Sequence, residues 1–178
     1  YQIYIANDPK DDICIGLTDQ MLDDCYHLGN LFPSVFKNEK EIDDIFYQVV
    51  DVLRERGARG MLGVDLLIRR VNGEIIPYVL EVNARQTGAV YAGFLAYEIR
   101  GGKRKPWLGH NNIVMPKDTT MKEYYNYLCE QGVAYHNGDE EGILITCNGN
   151  LAHNKIMVLI IADTTERLYE LLGISEGM

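Results

Sequence analysis

Short runs of alternating apolar and polar residues open the chain. Residues 1–5 and 12–17 carry apolar and β-prone side chains, and Asn7-Asp8-Pro9-Lys10 between them supplies turn chemistry. An opening hairpin is expected. From 18 to 33 the alternation dissolves into a mixture of polar residues with Gly29, Asn30 and Pro33, which reads as an irregular excursion over the surface. The period then changes: Ile42, Ile45, Phe46, Val49, Val50 and Leu53 recur at helical spacing within 39–55, and Gly57 is a natural stop. Two β-rich runs, 60–71 and 75–82, flank Asn72-Gly73-Glu74, a hairpin signal. Beyond a helix over 89–99, residues 100–106 form a basic, glycine-containing loop, ordered or partly mobile. The tail reads as helix 121–131, strands 142–147 and 155–161, and helix 164–172, a small α/β lobe.

Composition narrows the classes. With 178 residues, 47% apolar content and five prolines, the chain can bury a sizeable core and sits in the single-domain range. A formal charge of −9 repels nucleic acid and anionic membrane surfaces at long range. No apolar run approaches the ~20 residues that cross a bilayer, and the first ten residues lack the basic start and apolar middle of a signal peptide. A soluble, cytoplasmic protein is expected. Cys14, Cys25, Cys129 and Cys147 are widely spaced without a CxxC pair, so they read as reduced thiols and not as a zinc site. The chain starts at Tyr1, inside a strand pattern and without a methionine, which reads as a piece of a longer protein.

The second hairpin carries the chemistry. Glu81, Asn83 and Arg85 are two residues apart, so in an extended chain they project from one face while Leu80 and Val82 take the other. Asp65 interrupts the apolar run of the opposite strand, where an unpaired carboxylate is costly to bury. Two registers are open. A three-residue loop over 72–74 sets Val71 against Ile75 and Asp65 against Glu81; a two-residue Asn-Gly turn sets Asp65 against Leu80, unless a bulge, favoured near Pro77, shifts the count. On periodicity alone the row reads equally as a solvated strand face. Asp65 tips the balance, because two carboxylates and an amide oxygen converging on one spot are hard ligands that call for a cation, and Mg²⁺ completes its octahedron with water and substrate phosphates. Arg85 could grip a transferring phosphoryl group or a carboxylate.

Gly63-Val64-Asp65, then Leu80-Glu81-Val82-Asn83-Ala84-Arg85 and Thr87-Gly88, resemble the metal-binding signature of the ATP-grasp superfamily. Thr18, Gln20, Gly29, Asn30 and Pro33 resemble the segment after the adenine-binding hinge in its carboxylate-amine, peptide-forming ligase branch. The resemblance implies that Asp65, Glu81 and Asn83 bind Mg²⁺ and thereby ATP and that Arg85 is catalytic on phosphate or substrate; Gln86 and Thr87 are near enough in the chain to assist substrate binding. It implies an α+β fold: an ATP-grasp C-terminal subdomain over 1–108, with an antiparallel sheet flanked by helices, and a small α/β C-terminal lobe over 109–178. It also implies small-molecule or peptide carboxylate and amine substrates joined through an acylphosphate. An N-terminal ATP-grasp half, bearing lysines, a glycine-rich loop and the hinge, would be needed, so this segment alone is expected to be inactive. The alternative is a noncatalytic binding or assembly module derived from the same fold.

The remaining chemical residues read more plainly. His27, His110, His136 and His153 have no metal-ligand spacing and are expected in loops or at the surface. Tyr124, Tyr125 and Tyr127 are expected to pack with hydroxyls in water. Lys103-Arg104-Lys105 reads as a solvated loop, with an anion contact as the alternative.

Overall fold

The opening hairpin forms as β1 (Gln2–Ile5) and β2 (Ile13–Gly16), antiparallel, in a computed structural model that describes all residues Tyr1–Met178. β5 (Gly60–Val71) pairs with β1 on one side and with β6 (Glu74–Asn83) on the other, giving a four-stranded antiparallel sheet of order β2-β1-β5-β6. Between them in sequence lie β3 (Asp19–Asp23), β4 (Tyr26–Phe32) and helix α1 (Lys40–Glu55). Ile42, Phe46 and Val50 are buried at four-residue steps on α1, the stripe that the sequence pattern marks out. Phe46 and Val50 pack with Ile3, Ile5, Leu62 and Val64 from one face of the sheet. The Tyr1 ring stacks on Phe46 at 4.0 Å between centroids. The helix ends where Gly57 takes φ +87 and the Ala58 N–H reaches back to the Leu53 carbonyl at 3.0 Å.

The second sheet runs β3-β4-β7-β9-β8, where β7 is Trp107–Val114, β8 is Gly142–Cys147 and β9 is Lys155–Ile161. Helix α2 (Gly88–Ile99) precedes β7, α3 (Met121–Glu130) follows it, and α4 (Thr165–Ser175) closes the chain. Tyr124 and Leu128 of α3 and Leu168, Leu171 and Leu172 of α4 pack with Leu108, Ile156, Val158 and Ile160 of the sheet. Thr120 and Glu123 form a capping box on α3, and the Thr164 hydroxyl accepts from the Arg167 N–H at the start of α4.

Residues 18–33 do not form the irregular excursion that local composition suggests. They pair as β3 and β4, turning at Asp24 with φ +54, and β4 adds to β7 with Gly29 opposite His110 and Phe32 opposite Trp107. Strand formation there is decided by a distant partner. Gly29 reads as a turn residue but serves a close approach, because a Cβ on it would come within 2.0 Å of the Gly109 carbonyl oxygen.

Contacts divide the chain into two compact units, Tyr1–Thr18 with Ser34–Tyr91, and Asp19–Pro33 with Ala92–Met178. Each contains one sheet. A division by chain order at 108/109 differs from this one over 19–33, where β3 and β4 belong to the second sheet, and over 92–108. No helix is long and apolar enough to cross a membrane.

Candidate metal centre

The β5–β6 hairpin turns tightly through Asn72 (φ +52) and Gly73 (φ +90), with Val71 opposite Glu74. Two consecutive positive φ values are what a two-residue turn matched to strand twist requires. Carried on without interruption, that register would set Asp65 against Leu80. It is interrupted: Leu66 faces Val79, Asp65 faces Glu81, and Leu80 is the extra residue of a bulge. Neither open register was complete by itself. The turn is the two-residue one, and the shift comes three residues beyond Pro77, which stays paired with Ile68. Leu80 is 64% exposed.

Direct cross-strand partners share a face, so Asp65 and Glu81 point the same way, with Gly63 and Asn83 in the next row. Their face is opposite the one that holds Val64 in the core against α1. Asn83 is buried at 8% exposure and donates from Nδ2 to Asp65 Oδ2 at 3.3 Å, which leaves its Oδ1 unengaged. Asp65 and Glu81 form no ion pair. Two like charges directly opposed on a sheet repel, and here no side-chain cation lies between them. Arg85 lies past the end of β6, exposed, with Nη1 donating to the Gln86 carbonyl at 3.3 Å. The structure therefore brings Asp65, Glu81 and Asn83 together and leaves Arg85 turned to its neighbour's backbone.

The donor set fits a hard divalent cation: two carboxylates and an amide oxygen, of which Asp65 also feels the buried Tyr1 ammonium beside the Val64 carbonyl, with coordination positions left for water or phosphate. No group of three or more His, Cys, Asp and Glu side chains is arranged to hold a metal. A closed, all-protein cage is thus not what the chain builds.

The row beside the carboxylates holds two oxygens that the sequence pattern did not single out as a pair. Gln2 faces Gly63 on β1's side, so Gln2, Gly63 and Asn83 line up across three strands. Gln2 Nε2 donates to Thr18 Oγ1 at 3.4 Å, while its Oε1 is buried without a partner, as is the Thr87 hydroxyl. Thr87 lies over Gly63 so closely that a Cβ there would come within 2.9 Å of Thr87 Cγ2. The signal available for Gln2 was a polar residue at an alternating strand position next to Ile3; its row partner needed the β1–β5 register.

Thr18 belongs to the same unit as the carboxylates, whereas Gln20, Gly29, Asn30 and Pro33 belong to the other. Gln20 faces Asn30 across β3 and β4. In that unit His110 is not a surface or loop residue: it is on β7 and 3% exposed. Burial lowers its pKa, and the nearby His27 adds to the effect. His27, on β4, shares a hydrogen bond with Asn30 Oδ1 at 3.1 Å. The tyrosine expectation also changes, since the Tyr124 hydroxyl is buried against Ser175 Oγ at 2.5 Å and is not in water.

Residues 2–89 match a family model described as an ATP-grasp domain, and residues 126–172 match one described as the PGM1 C-terminal domain. Among solved structures, the phosphoribosylaminoimidazole carboxylase ATPase subunit from Aquifex aeolicus superposes with a TM-score of 0.56 at 11% identity. The match covers 99% of this chain and 54% of that one, so the chain spans about half the length of that structure. It shares the α+β fold with two antiparallel sheets. A sequence comparison with curated proteins finds no match.

Proposed function

From the ATP-grasp superfamily relationship that the chain carries over residues 2–89, we propose that it is part of an ATP-dependent ligase joining a carboxylate to an amine through an acylphosphate. The observation that supports this most is the direct opposition of Asp65 and Glu81, with no side-chain cation paired to either. A stable fold tolerates that repulsion more readily when a ligand removes it.

In this reading Asp65, Glu81 and Asn83 hold Mg²⁺, and so the phosphates of ATP. Bound there, the ion would neutralise charge on the transferring phosphoryl group. Asn83 sets the rotamer of Asp65 through its Nδ2 donation and offers Oδ1 as the third oxygen. Burial of Asn83 against the strand pair keeps that arrangement fixed. Arg85 is free to leave the Gln86 carbonyl, an exposed 3.3 Å contact, for the better acceptor that a phosphoryl or acylphosphate oxygen provides. The orphaned oxygens of Gln2 and Thr87 await hydrogen-bond partners in the adjoining row, where a substrate group would satisfy them.

The test is ADP release by the complete protein on a panel of amino acids and short peptides, with and without an amine acceptor. Amine-dependent ADP formation that Glu81→Ala abolishes, with the fold retained, agrees with the ligase reading. Turnover by Glu81→Ala at saturating Mg-ATP, or ADP formation indifferent to every amine, contradicts it.

A further inference from the structure

Gly63 lies in β5 between Gln2 and Asn83, without the positive φ that calls for glycine elsewhere in the chain. Its backbone would suit any residue, so what a side chain lacks there is room. A Cβ would come to 2.9 Å from Thr87 Cγ2, whereas the Tyr1 carbonyl oxygen at 3.7 Å and Asn83 Cβ at 3.8 Å stay at ordinary contact distance. The Thr87 methyl is the group that fills the space.

That methyl is the foot of the loop that carries Arg85. Ala84, Arg85 and Gln86 are exposed and hang between two fixed points. At one end, buried Asn83 closes β6, and its carbonyl accepts from the Arg85 N–H at 2.8 Å in a tight turn. At the other, Thr87 rests on Gly63, its carbonyl accepts from the Val90 N–H at 3.1 Å where α2 begins, and Ala89 and Val90 are buried. Thr87 is branched at Cβ and its hydroxyl is enclosed as well, so turning χ1 carries one branch or the other into filled space. A side chain at 63 is therefore relieved by movement of the Thr87 backbone, and Arg85, two residues away, moves with it. The metal ligands are spared, because the β5–β6 ladder fixes Asp65 and Glu81 and Asn83 keeps its normal contact.

The contact has space for one methyl. Gly63→Ala supplies a second and crowds it; Thr87→Ser removes the first and leaves the loop unseated. Both changes together move the methyl from one side of the contact to the other and conserve its volume.

Resting on the reading that Asp65, Glu81 and Asn83 hold the Mg²⁺ of a phosphate ligand, we propose that Gly63 and Thr87 are positioning residues for Arg85. The single methyl between them sets the loop from which the guanidinium reaches an oxygen of the metal-bound phosphate. The experiment titrates pyrophosphate into the full chain at saturating Mg²⁺ and follows the ¹⁵N NMR signal of Arg85 Nε, while Mn²⁺ binding to the same proteins is measured by electron paramagnetic resonance. In the unsubstituted chain the Arg85 signal is expected to shift saturably. Gly63→Ala should weaken pyrophosphate roughly tenfold, the scale of one charge-assisted hydrogen bond, and Thr87→Ser roughly threefold, each with Mn²⁺ affinity unchanged. The double variant should recover most of the loss, which general damage to the fold would not allow. Thr87 lies outside both strands, so Thr87→Ser carries the test even where circular dichroism shows Gly63→Ala unfolded. Pyrophosphate affinity unchanged in Thr87→Ser, no recovery in the double variant, or single variants that lose Mn²⁺ as well overturns the proposal. An unsubstituted chain that binds no Mn²⁺ sinks the metal reading itself, whereas bound Mn²⁺ with an Arg85 signal that pyrophosphate leaves unmoved overturns this proposal alone.

Discussion

Asp65 and Glu81 are direct cross-strand partners only because Leu80 bulges out of β6. Without that extra residue position, a two-residue Asn72-Gly73 turn would set the aspartate against a leucine and send Glu81 one step along the ladder. The bulge thus converts an ordinary hairpin into a pair of opposed carboxylates, and their repulsion leads to the first expected outcome.

In metal-free protein, Glu81→Gln should leave the fold as stable as before or raise stability by roughly 0.5 kcal/mol, because it removes a like-charge pair. Urea melts in the presence of a chelator measure this. Added Mg²⁺ should stabilise the unsubstituted chain and, at the same concentration, stabilise the variant less. A loss of more than about 1 kcal/mol without metal would mean that Glu81 has a structural partner.

Gly29→Ala should unfold the second unit or destabilise it by several kcal/mol, since its Cβ would sit 2.0 Å from a backbone oxygen that cannot move aside. Gly173→Ala is the matched control. It lies within α4 with nothing near a new Cβ, and should add roughly 0.5–1 kcal/mol through helix propensity. Thermal melts of the two variants should move in opposite directions.

Tyr124→Phe should cost about 1–2 kcal/mol, because the Ser175 hydroxyl stays buried and loses its 2.5 Å partner. Replacing Ser175 by Ala as well should recover part of that loss. A double-mutant cycle on chemical denaturation reads the coupling directly.

Burial holds the pKa of His110 below its ordinary value of 6.5. A histidine whose pKa is lower in the folded state favours folding while neutral, so its contribution is fully present above pH 6.5 and is lost as pH falls through that value toward the folded pKa. Denaturant midpoints measured from pH 7.5 down to pH 5 should therefore decline less steeply in His110→Gln than in the unsubstituted chain. Parallel slopes would show that His110 is not the group responsible.

What could be read from the sequence followed the range of the interactions. Helix α1, the 60–83 hairpin and the tail elements were legible because their apolar periods and turn residues act locally. The carboxylate pair was half legible: residue types and faces pointed to Asp65, Glu81 and Asn83, while the bulge at Leu80 depends on β5 and β6 together. β3 and β4 were hidden because β3, an edge strand with many exposed positions, needs little apolar pattern, and the pair is held through the ladder of β4 to β7. Arg100 and Lys105 read as basic loop residues among several, and only their bonds to the distant Asp163 set them apart.

The central claim, that Asp65, Glu81 and Asn83 form a divalent-cation site, is tested most directly by Mn²⁺ titration of this chain followed by electron paramagnetic resonance. One saturable Mn²⁺ site is expected, displaced by Mg²⁺, and weakened at least tenfold by Asp65→Asn or Glu81→Gln with circular dichroism unchanged, on the order of one charged ligand's contribution. Mn²⁺ affinity that is the same in both variants as in the unsubstituted chain would contradict the claim.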